Sequence, residues 1–378
     1  MKIGLYIHIP FCQQKCLYCD FPSHDKLAHL YKPYVTALCQ EISGWGGVLS
    51  GNSVDTIYIG GGTPTILSAD SLWQILECVH TSFVIDRAAE ISVEANPGTI
   101  NQEKLLALKS GGVNRISFGV QSFSDPLLRS IGRIHSADQA VEAVESAQKA
   151  GFGNINIDLM YGLPEQTCEN LRTSVMQAIE LGVTHISAYG LKVEEGTPFA
   201  TLDKQGKLLL PEEDVDEAMY VFTTEFLPDN GFRRYEISNF SKVGFECCHN
   251  LKYWQFQPYL GVGAAAHSFL QKERFSNISD VSQYIACAVK GKLPVEVRET
   301  PEVSVAKAEY IFLALRTVQG LFIQEFKNYF ACDFFQEYGE IVAKLARQKL
   351  IVVGEKQIYL TTVGMKYGNV VFRAFLPD

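Results

Sequence analysis

Apolar residues recur through the first half of the chain in short runs separated by longer amphipathic stretches. The runs Ile3–Ile9, Asp55–Gly60, Glu90–Glu94, Arg115–Gly119, Asn154–Met160 and His185–Tyr189 are rich in Ile, Val, Tyr and Phe, as strands of a covered parallel sheet are. The intervening periodicity predicts helices over Ser68–Val79, Gln102–Lys109, Ser136–Ala150 and Leu171–Leu181. Ser136 and Gln139 stand at capping-box spacing, and Gly111-Gly112, Gly151 and Gly182 supply stops. Six strand-then-helix units predict an α/β fold with right-handed parallel crossovers. Each strand also ends in a polar or glycine-rich segment: the cysteine loop after Ile9, Gly60-Gly61-Gly62-Thr63-Pro64, Glu94-Ala95-Asn96-Pro97, Gly119-Val120-Gln121-Ser122, Gly162-Leu163-Pro164 and Ala188-Tyr189-Gly190. In β/α barrels the chemistry gathers at the mouth formed by the C-terminal strand ends, so this pattern favours a partial (β/α)6 barrel over a doubly wound sheet.

The pattern changes after Gly190. A helix is expected from Pro211 to about Phe226, then an extended segment over Arg233–Phe240 and the polar–aromatic run Cys247-Cys248-His249-Asn250-Leu251-Lys252-Tyr253-Trp254. Helices are predicted over Val303–Val318, Gln324–Tyr329 and Phe334–Lys349, followed by a hairpin over Ile351–Leu360 and a final helix. The expected division is a barrel core over residues 1–200, a connecting α/β segment over 201–300, and a smaller α+β winged-helix-like domain over 301–378.

Composition narrows the class. Apolar residues make up 47% of 378, enough for a sizeable core, and the net charge of −9 disfavours nucleic acid as a partner. No signal peptide precedes the first strand and no apolar run reaches membrane-span length. Ten scattered cysteines in a chain this long do not read as a disulfide scaffold. A reducing, cytoplasmic setting is expected.

Cys12, Cys16 and Cys19 fall in one loop, and soft thiolates this close converge on one metal centre. A closed zinc site wants four ligands. His8 is available as a fourth, although it falls inside a predicted strand. The other reading is a [4Fe-4S] cluster with one iron left open for a small molecule.

The spacing C-x3-C-x2-C with Tyr18 before the third cysteine resembles the radical S-adenosylmethionine (SAM) superfamily. Tyr6-Ile7-His8-Ile9-Pro10-Phe11-Cys12, the GGGTP run, Glu94-Ala95-Asn96-Pro97, Gly119-Val120-Gln121-Ser122, Gly132-Arg133, Ile157–Pro164 and Leu360-Thr361-Thr362 with Gly364 extend the likeness over nearly the whole chain, to the branch holding oxygen-independent coproporphyrinogen III dehydrogenase. The resemblance implies that Cys12, Cys16 and Cys19 hold three irons, and that SAM chelates the fourth through its amino and carboxylate groups. It also implies that reduction of the sulfonium can release a 5′-deoxyadenosyl radical. Position by position it assigns SAM contacts to Tyr6, Gly61, Gly62, Thr63, Glu94, Gln121, Arg133 and Asp158. Their chemistry agrees: glycines allow close backbone approach, a guanidinium forks onto a carboxylate, and carboxylates suit an amino group or ribose hydroxyls.

Within that branch the dehydrogenases have a fourth cysteine two residues past the third, where this chain has Phe21, and an extension ahead of the first strand. The run His249-Asn250-Leu251-Lys252-Tyr253-Trp254 matches H-N-x-x-Y-W, which is similar to the haem chaperones of the HemW type. That likeness implies a protein carrying a [4Fe-4S] cluster and SAM that binds haem and transfers it to an apo-haemoprotein acceptor, served by an electron donor and compatible with peripheral membrane association. The alternative is the dehydrogenase, which decarboxylates two propionates of coproporphyrinogen III; a zinc-stabilised binding module is a third class. His249 is the candidate haem ligand, with Tyr253 and Trp254 flanking the porphyrin. The plainer reading is that His249 and Trp254 pack the junction between barrel and C-terminal unit. A Cys248 thiolate is a further alternative, and no C-x-x-C-H pattern for covalent attachment is present. Finally, the family's G-x-G-P-G-A-H-S appears here with Ala264 and Ala265 in place of Pro and Gly, which is expected to alter a loop near the SAM pocket.

Overall fold

The computed structural model describes residues 1–377. Its first half runs β1 (Lys2–Ile9), α1 (Tyr31–Val48), β2 (Ser53–Gly61), α2 (Ala69–Ser82), β3 (Val84–Ala95), α3 (Gln102–Ser110), β4 (Arg115–Gln121), α4 (Asp125–Ser130), α5 (Ala137–Lys149), β5 (Asn154–Tyr161), α6 (Cys168–Glu180) and β6 (His185–Gly190). Strands β1 to β6 pair in that order and in parallel, and β1 does not pair with β6. The sheet is therefore an arc, a barrel left open on one side.

The strands alternate with period two, and the alternation decides what faces what. Ile3, Leu5, Ile7, Ile9, Ile57, Ile59, Ile116, Phe118, Ile155, Ile157 and Leu159 are buried in the core shared with the helices. Their alternates Tyr6, Tyr58, Glu94, Ser117, Asp158 and Ser187 line the concave side. The parallel register sets Tyr6 opposite Tyr58, Glu94 opposite Ser117 and Asp158 opposite Ser187. A barrel interior that is polar down its length is costly unless its groups are paired or hold a ligand.

The predicted capping box of Ser136 and Gln139 forms, and Thr167 with Asn170 makes a second one on α6. Helix α1 is not among the helices read from the sequence periodicity. Its last turns carry Gly44, Gly46 and Gly47, and Gly46 is there because α2 passes too close for a side chain: a Cβ would lie 2.5 Å from Ser82 O.

The chain then forms α7 (Pro198–Lys204), α8 (Glu213–Asp229), β7 (Arg233–Arg234), β8 (Asn239–Ser241), α9 (Cys248–Trp254), β9 (Tyr259–Val262), β10 (His267–Leu270), β11 (Glu273–Asn277), α10 (Val281–Ala288) and β12 (Val295–Glu299). These strands extend the sheet at both edges to the order β12-β11-β10-β9-β1-β2-β3-β4-β5-β6-β8-β7. Pro211 lies outside α8, which Glu212 precedes. The extended segment expected over Arg233–Phe240 is two short strands with a turn between them. Helix α9 lies in the connection from β8, at the β6 edge, to β9, at the β1 edge.

The remainder is α11 (Val303–Leu315), β13 (Leu321–Phe322), α12 (Ile323–Phe330), α13 (Phe334–Arg347), β14 (Ile351–Val353), β15 (Gln357–Leu360), α14 (Thr362–Lys366) and α15 (Gly368–Arg373). Its three strands form a separate sheet in the order β13-β15-β14. Phe326, Phe334, Leu345 and Val371 build a second core there, which Phe256 and Phe269 join from the barrel side. The expected final helix is broken in two at Tyr367.

Candidate functional site

The cysteine loop leaves β1 and is pinned by main-chain bonds. Cys12 N–H donates to His24 O at 3.0 Å, Leu17 N–H to Ile131 O at 3.1 Å and Cys19 N–H to Cys16 O at 3.2 Å. All three thiols are free and half-buried, and burial pushes those of Cys12 and Cys19 up. Thr63 Oγ1 donates to Cys12 Sγ at 3.8 Å and Arg133 Nη1 to Cys16 Sγ at 3.5 Å, so donors are already aimed at sulfur.

These thiols border a cavity of about 380 Å³ at the C-terminal ends of the strands. Gly61, Gly62, Thr63, Glu94, Gln121, Arg133 and Asp158 all line it. Gly61 has φ +112°, and a Cβ there would sit 2.5 Å from the His8 ring; a Cβ on Gly62 would meet Phe11 O at 2.5 Å. Only glycine can make this turn. Gln121 takes φ +70° where the β4–β5 register shifts, a local strain that turns its side chain into the cavity.

The electrostatics suit a ligand with separated charges. Arg133 is half-buried, with Nη2 donating to Asn96 Oδ1 at 2.8 Å and to Gly119 O, while its Nε–H has no partner. A guanidinium lining a cavity, with one donor still unspent, fits a carboxylate. Glu94 accepts from Tyr58 Oη at 2.8 Å and Gly61 N–H at 3.1 Å. Burial nevertheless lifts its carboxyl from 4.5 to about 7. Asp158 accepts from Asn156 at 2.8 Å and Ser117 at 3.3 Å and is likewise raised by burial. Two buried carboxyls facing one cavity suit an ammonium and hydroxyl donors. With the three thiols beside them, the donor set fits a [4Fe-4S] cluster and SAM.

Tyr6 does not border this cavity. Its hydroxyl donates to His8 Nδ1 at 2.9 Å, and His8 Nε2–H donates to Pro22 O at 2.9 Å. Both His8 nitrogens are therefore committed, which removes it as a fourth zinc ligand. Among the described residues no three His, Cys, Asp or Glu side chains converge as a single ion would require. Asn96 joins Thr63 to Arg133, donating to Thr63 Oγ1 at 3.0 Å and accepting from the guanidinium. Tyr189 and Met160 line the cavity as well. Their signal in the sequence is the period-two alternation, which puts Met160 in phase with Asp158 and Tyr189 in phase with Ser187.

The H-N-x-x-Y-W run lies elsewhere. Helix α9 meets the N-terminal halves of β1 to β3, at the end of the barrel opposite the cavity. Glu90 on β3 accepts the N–H groups of Cys248 at 3.0 Å and His249 at 3.1 Å, capping the helix. His249 is fully buried; Nδ1 pairs with Thr56 Oγ1 at 2.9 Å and Nε2 with Tyr253 Oη at 2.8 Å. Its ring stacks on Tyr58 at 5.3 Å. Burial drops its pKa to about 3, so it is a neutral ring with no nitrogen to spare. Lys252 pairs with Asp55 at 2.8 Å, and Trp254 lies under the Arg316 guanidinium at 4.6 Å, where α11 ends. His249, Tyr253 and Trp254 are thus placed at the barrel floor, with Trp254 reaching the C-terminal unit through Arg316. The side-chain polar atoms of His249 and Tyr253 are spent on Thr56 and on each other.

The Ala264-Ala265 substitution lies outside the cavity lining too. Ala264 is buried and donates its N–H to Tyr34 Oη at 3.0 Å, and Ala265 takes φ +60°, the left-handed region that a glycine would occupy without strain.

Residues 6–176 match the radical SAM superfamily. The chain is 39% identical over 376 residues to the heme chaperone HemW of Lactococcus lactis subsp. lactis (strain IL1403), covering 99% of this chain and 97% of that one. It is also 39% identical over 378 residues to the heme chaperone HemW of Bacillus subtilis (strain 168), covering 99% of each. Among solved structures, the coproporphyrinogen III oxidase HemN from Escherichia coli, a radical SAM enzyme, superposes with a TM-score of 0.86. The match is at 24% identity, over 99% of this chain and 89% of that one, a likeness of fold alone.

Proposed function

We propose a function from one premise: the chain belongs to the heme chaperone HemW family of the radical SAM superfamily. Superfamily membership implies a [4Fe-4S] cluster and SAM. On our reading Cys12, Cys16 and Cys19 hold the cluster, and the adjoining cavity holds SAM. The protein binds haem and hands it to an apo-haemoprotein acceptor. The single observation that supports this most strongly is the convergence of three thiols, an under-bonded guanidinium and two raised carboxyls on one cavity.

When bound, the cluster supplies an open iron and a one-electron reductant. The chain's own residues do the rest. Arg133 would take the SAM carboxylate on its unspent N–H and hold Cys16 sulfur from the other side. Glu94, ionised, would face the amino group or sulfonium, and Asp158 the ribose hydroxyls. Gly61 and Gly62 bring backbone to the ligand, while Thr63, steadied by Asn96, donates to Cys12. Gln121 supplies an amide from a strained backbone position. The same reading requires an electron donor. No helix among the described residues is long and apolar enough to cross a membrane, so delivery to a membrane-bound acceptor calls for peripheral contact. Ten free cysteines accord with a cytoplasmic setting.

The test uses one anaerobic preparation reconstituted with iron and sulfide. Absorption and electron-spin spectra should report a [4Fe-4S] cluster that the Cys12→Ala, Cys16→Ala, Cys19→Ala triple variant cannot build. Haem should then be taken up stoichiometrically and passed to an apo-acceptor. Catalytic formation of vinyl product from coproporphyrinogen III would sink the chaperone reading.

A further inference from the structure

Away from the barrel mouth, helices α1 and α2 lie side by side and each turns a half-buried cysteine toward the other. Cys78 Sγ donates to the Cys39 carbonyl oxygen at 3.2 Å, so its sulfur lies against the Cys39 turn of α1. Ser43 Oγ lies 3.6 Å and Ser82 Oγ 3.9 Å from Cys78 Sγ. Cys39 Sγ has a backbone acceptor, Gln74 O at 3.8 Å, and no hydroxyl beside it.

From this geometry we infer that Cys39 and Cys78 form a redox pair, converted to a disulfide by a peroxide. The surroundings assign the roles. A thiolate is the attacking form, and two hydroxyls, Ser43 Oγ and Ser82 Oγ, lie beside Cys78 Sγ to stabilise it, while the Cys39 neighbour and these hydroxyls set its pKa below the ordinary thiol value. Burial and the nearby Glu77 oppose this and are outweighed. Cys78 is therefore the attacking sulfur and Cys39 the resolving one. In the first step Cys78 thiolate attacks one oxygen of hydrogen peroxide, the O–O bond breaks, and the departing hydroxide takes a proton to leave as water. In the second, Cys39 sulfur attacks the Cys78 sulfenic acid, the S–O bond breaks, and the hydroxyl leaves as a second water with the Cys39 proton. Two thiols lose two electrons to one peroxide. The link would tie together the two helices that cover β1 and β2, the strands that carry the cysteine loop and the glycine turn. It rests only on these helices and is independent of the haem reading.

The full-length protein is exposed to hydrogen peroxide, quenched, alkylated and peptide-mapped by mass spectrometry. Exposed Cys168 and Cys248 serve as internal references. The expected result is a Cys39–Cys78 linked peptide two hydrogens lighter than its parts. Alkylation of both residues should fall together by about tenfold and be restored by dithiothreitol. Cys39→Ser should leave Cys78 trappable by dimedone, whereas Cys78→Ser should leave Cys39 alkylated as before. The inference fails if Cys39 and Cys78 stay fully alkylated and unlinked while Cys168 and Cys248 are oxidised. Equal dimedone trapping in the two variants would overturn the assignment of Cys78 as the attacking sulfur.

Discussion

Arg133 donates from Nη1 to Cys16 Sγ across 3.5 Å while its Nη2 is tied to Asn96 and Gly119 O. One side chain thus connects the cysteine loop to the ends of β3 and β4, and its remaining Nε–H is buried without a partner. Lysine has the charge without the fork. Arg133→Lys is expected to weaken SAM binding by about ten- to a hundredfold, with iron and sulfide content kept. Anaerobic SAM titration of the reconstituted variant checks this, and an unchanged affinity would remove Arg133 from the ligand site.

For His249 the structure predicts a stability effect in place of a ligand effect. Truncation leaves Thr56, Tyr253 and a stacked Tyr58 facing a hole in the barrel floor. His249→Ala should lower the unfolding free energy by about 2–4 kcal/mol, while haem stoichiometry holds in the protein that remains folded. Urea unfolding and haem titration of the same sample separate the two. Loss of haem at unchanged stability would restore His249 as the iron ligand.

Ala265 gives a stabilising prediction. Its φ of +60° strains an L-residue and suits glycine. Ala265→Gly trades that strain for a more flexible unfolded chain, for a net gain of up to about 1 kcal/mol. A fall in the urea midpoint would contradict it.

A pH prediction comes from Glu41 on α1. It is fully buried and accepts from Tyr284 Oη at 2.6 Å, Asn277 Nδ2 at 2.7 Å and Gly263 N–H at 2.8 Å, yet burial outweighs these bonds and lifts its pKa from 4.5 to about 7. The folded protein therefore binds this proton more tightly than the unfolded chain. The stabilisation is complete below 4.5 and lost as pH rises through about 7. Across that window the loss is on the order of 3 kcal/mol. Glu94 adds a slope of the same sign, with the same limits. Glu41→Gln should flatten the fall measured by urea unfolding at a series of pH values; an identical slope in the variant would exclude Glu41 as its source.

The strands and the chemistry at their ends were legible because both are local. A run such as Ile155–Leu159 announces a strand by composition, and once the strands are parallel their C-terminal ends must share one mouth. Cys12, Gly61, Glu94, Gln121, Arg133 and Asp158 therefore come together without any further information. Asn96 was visible as part of a motif, but its role as the link between Thr63 and Arg133 exists only across two loops. Helix α1 carries three glycines near its end, and only for Gly46 does the closeness of α2 supply the reason.

The sequence by itself determined a parallel α/β barrel with a thiol-lined mouth, since the period of apolar residues and the direction of the strands leave little else to choose. Tertiary structure alone decided which end of that barrel each motif occupies. Helix α9 reaches the floor because β8 and β9 sit at opposite edges of the arc, and a histidine's chemistry is set by the atoms that meet its two nitrogens. For His249 those atoms are Thr56 and Tyr253, and for His8 they are Tyr6 and Pro22. The facing of Cys39 and Cys78 is of the same kind, a contact between helices that no spacing along the chain encodes.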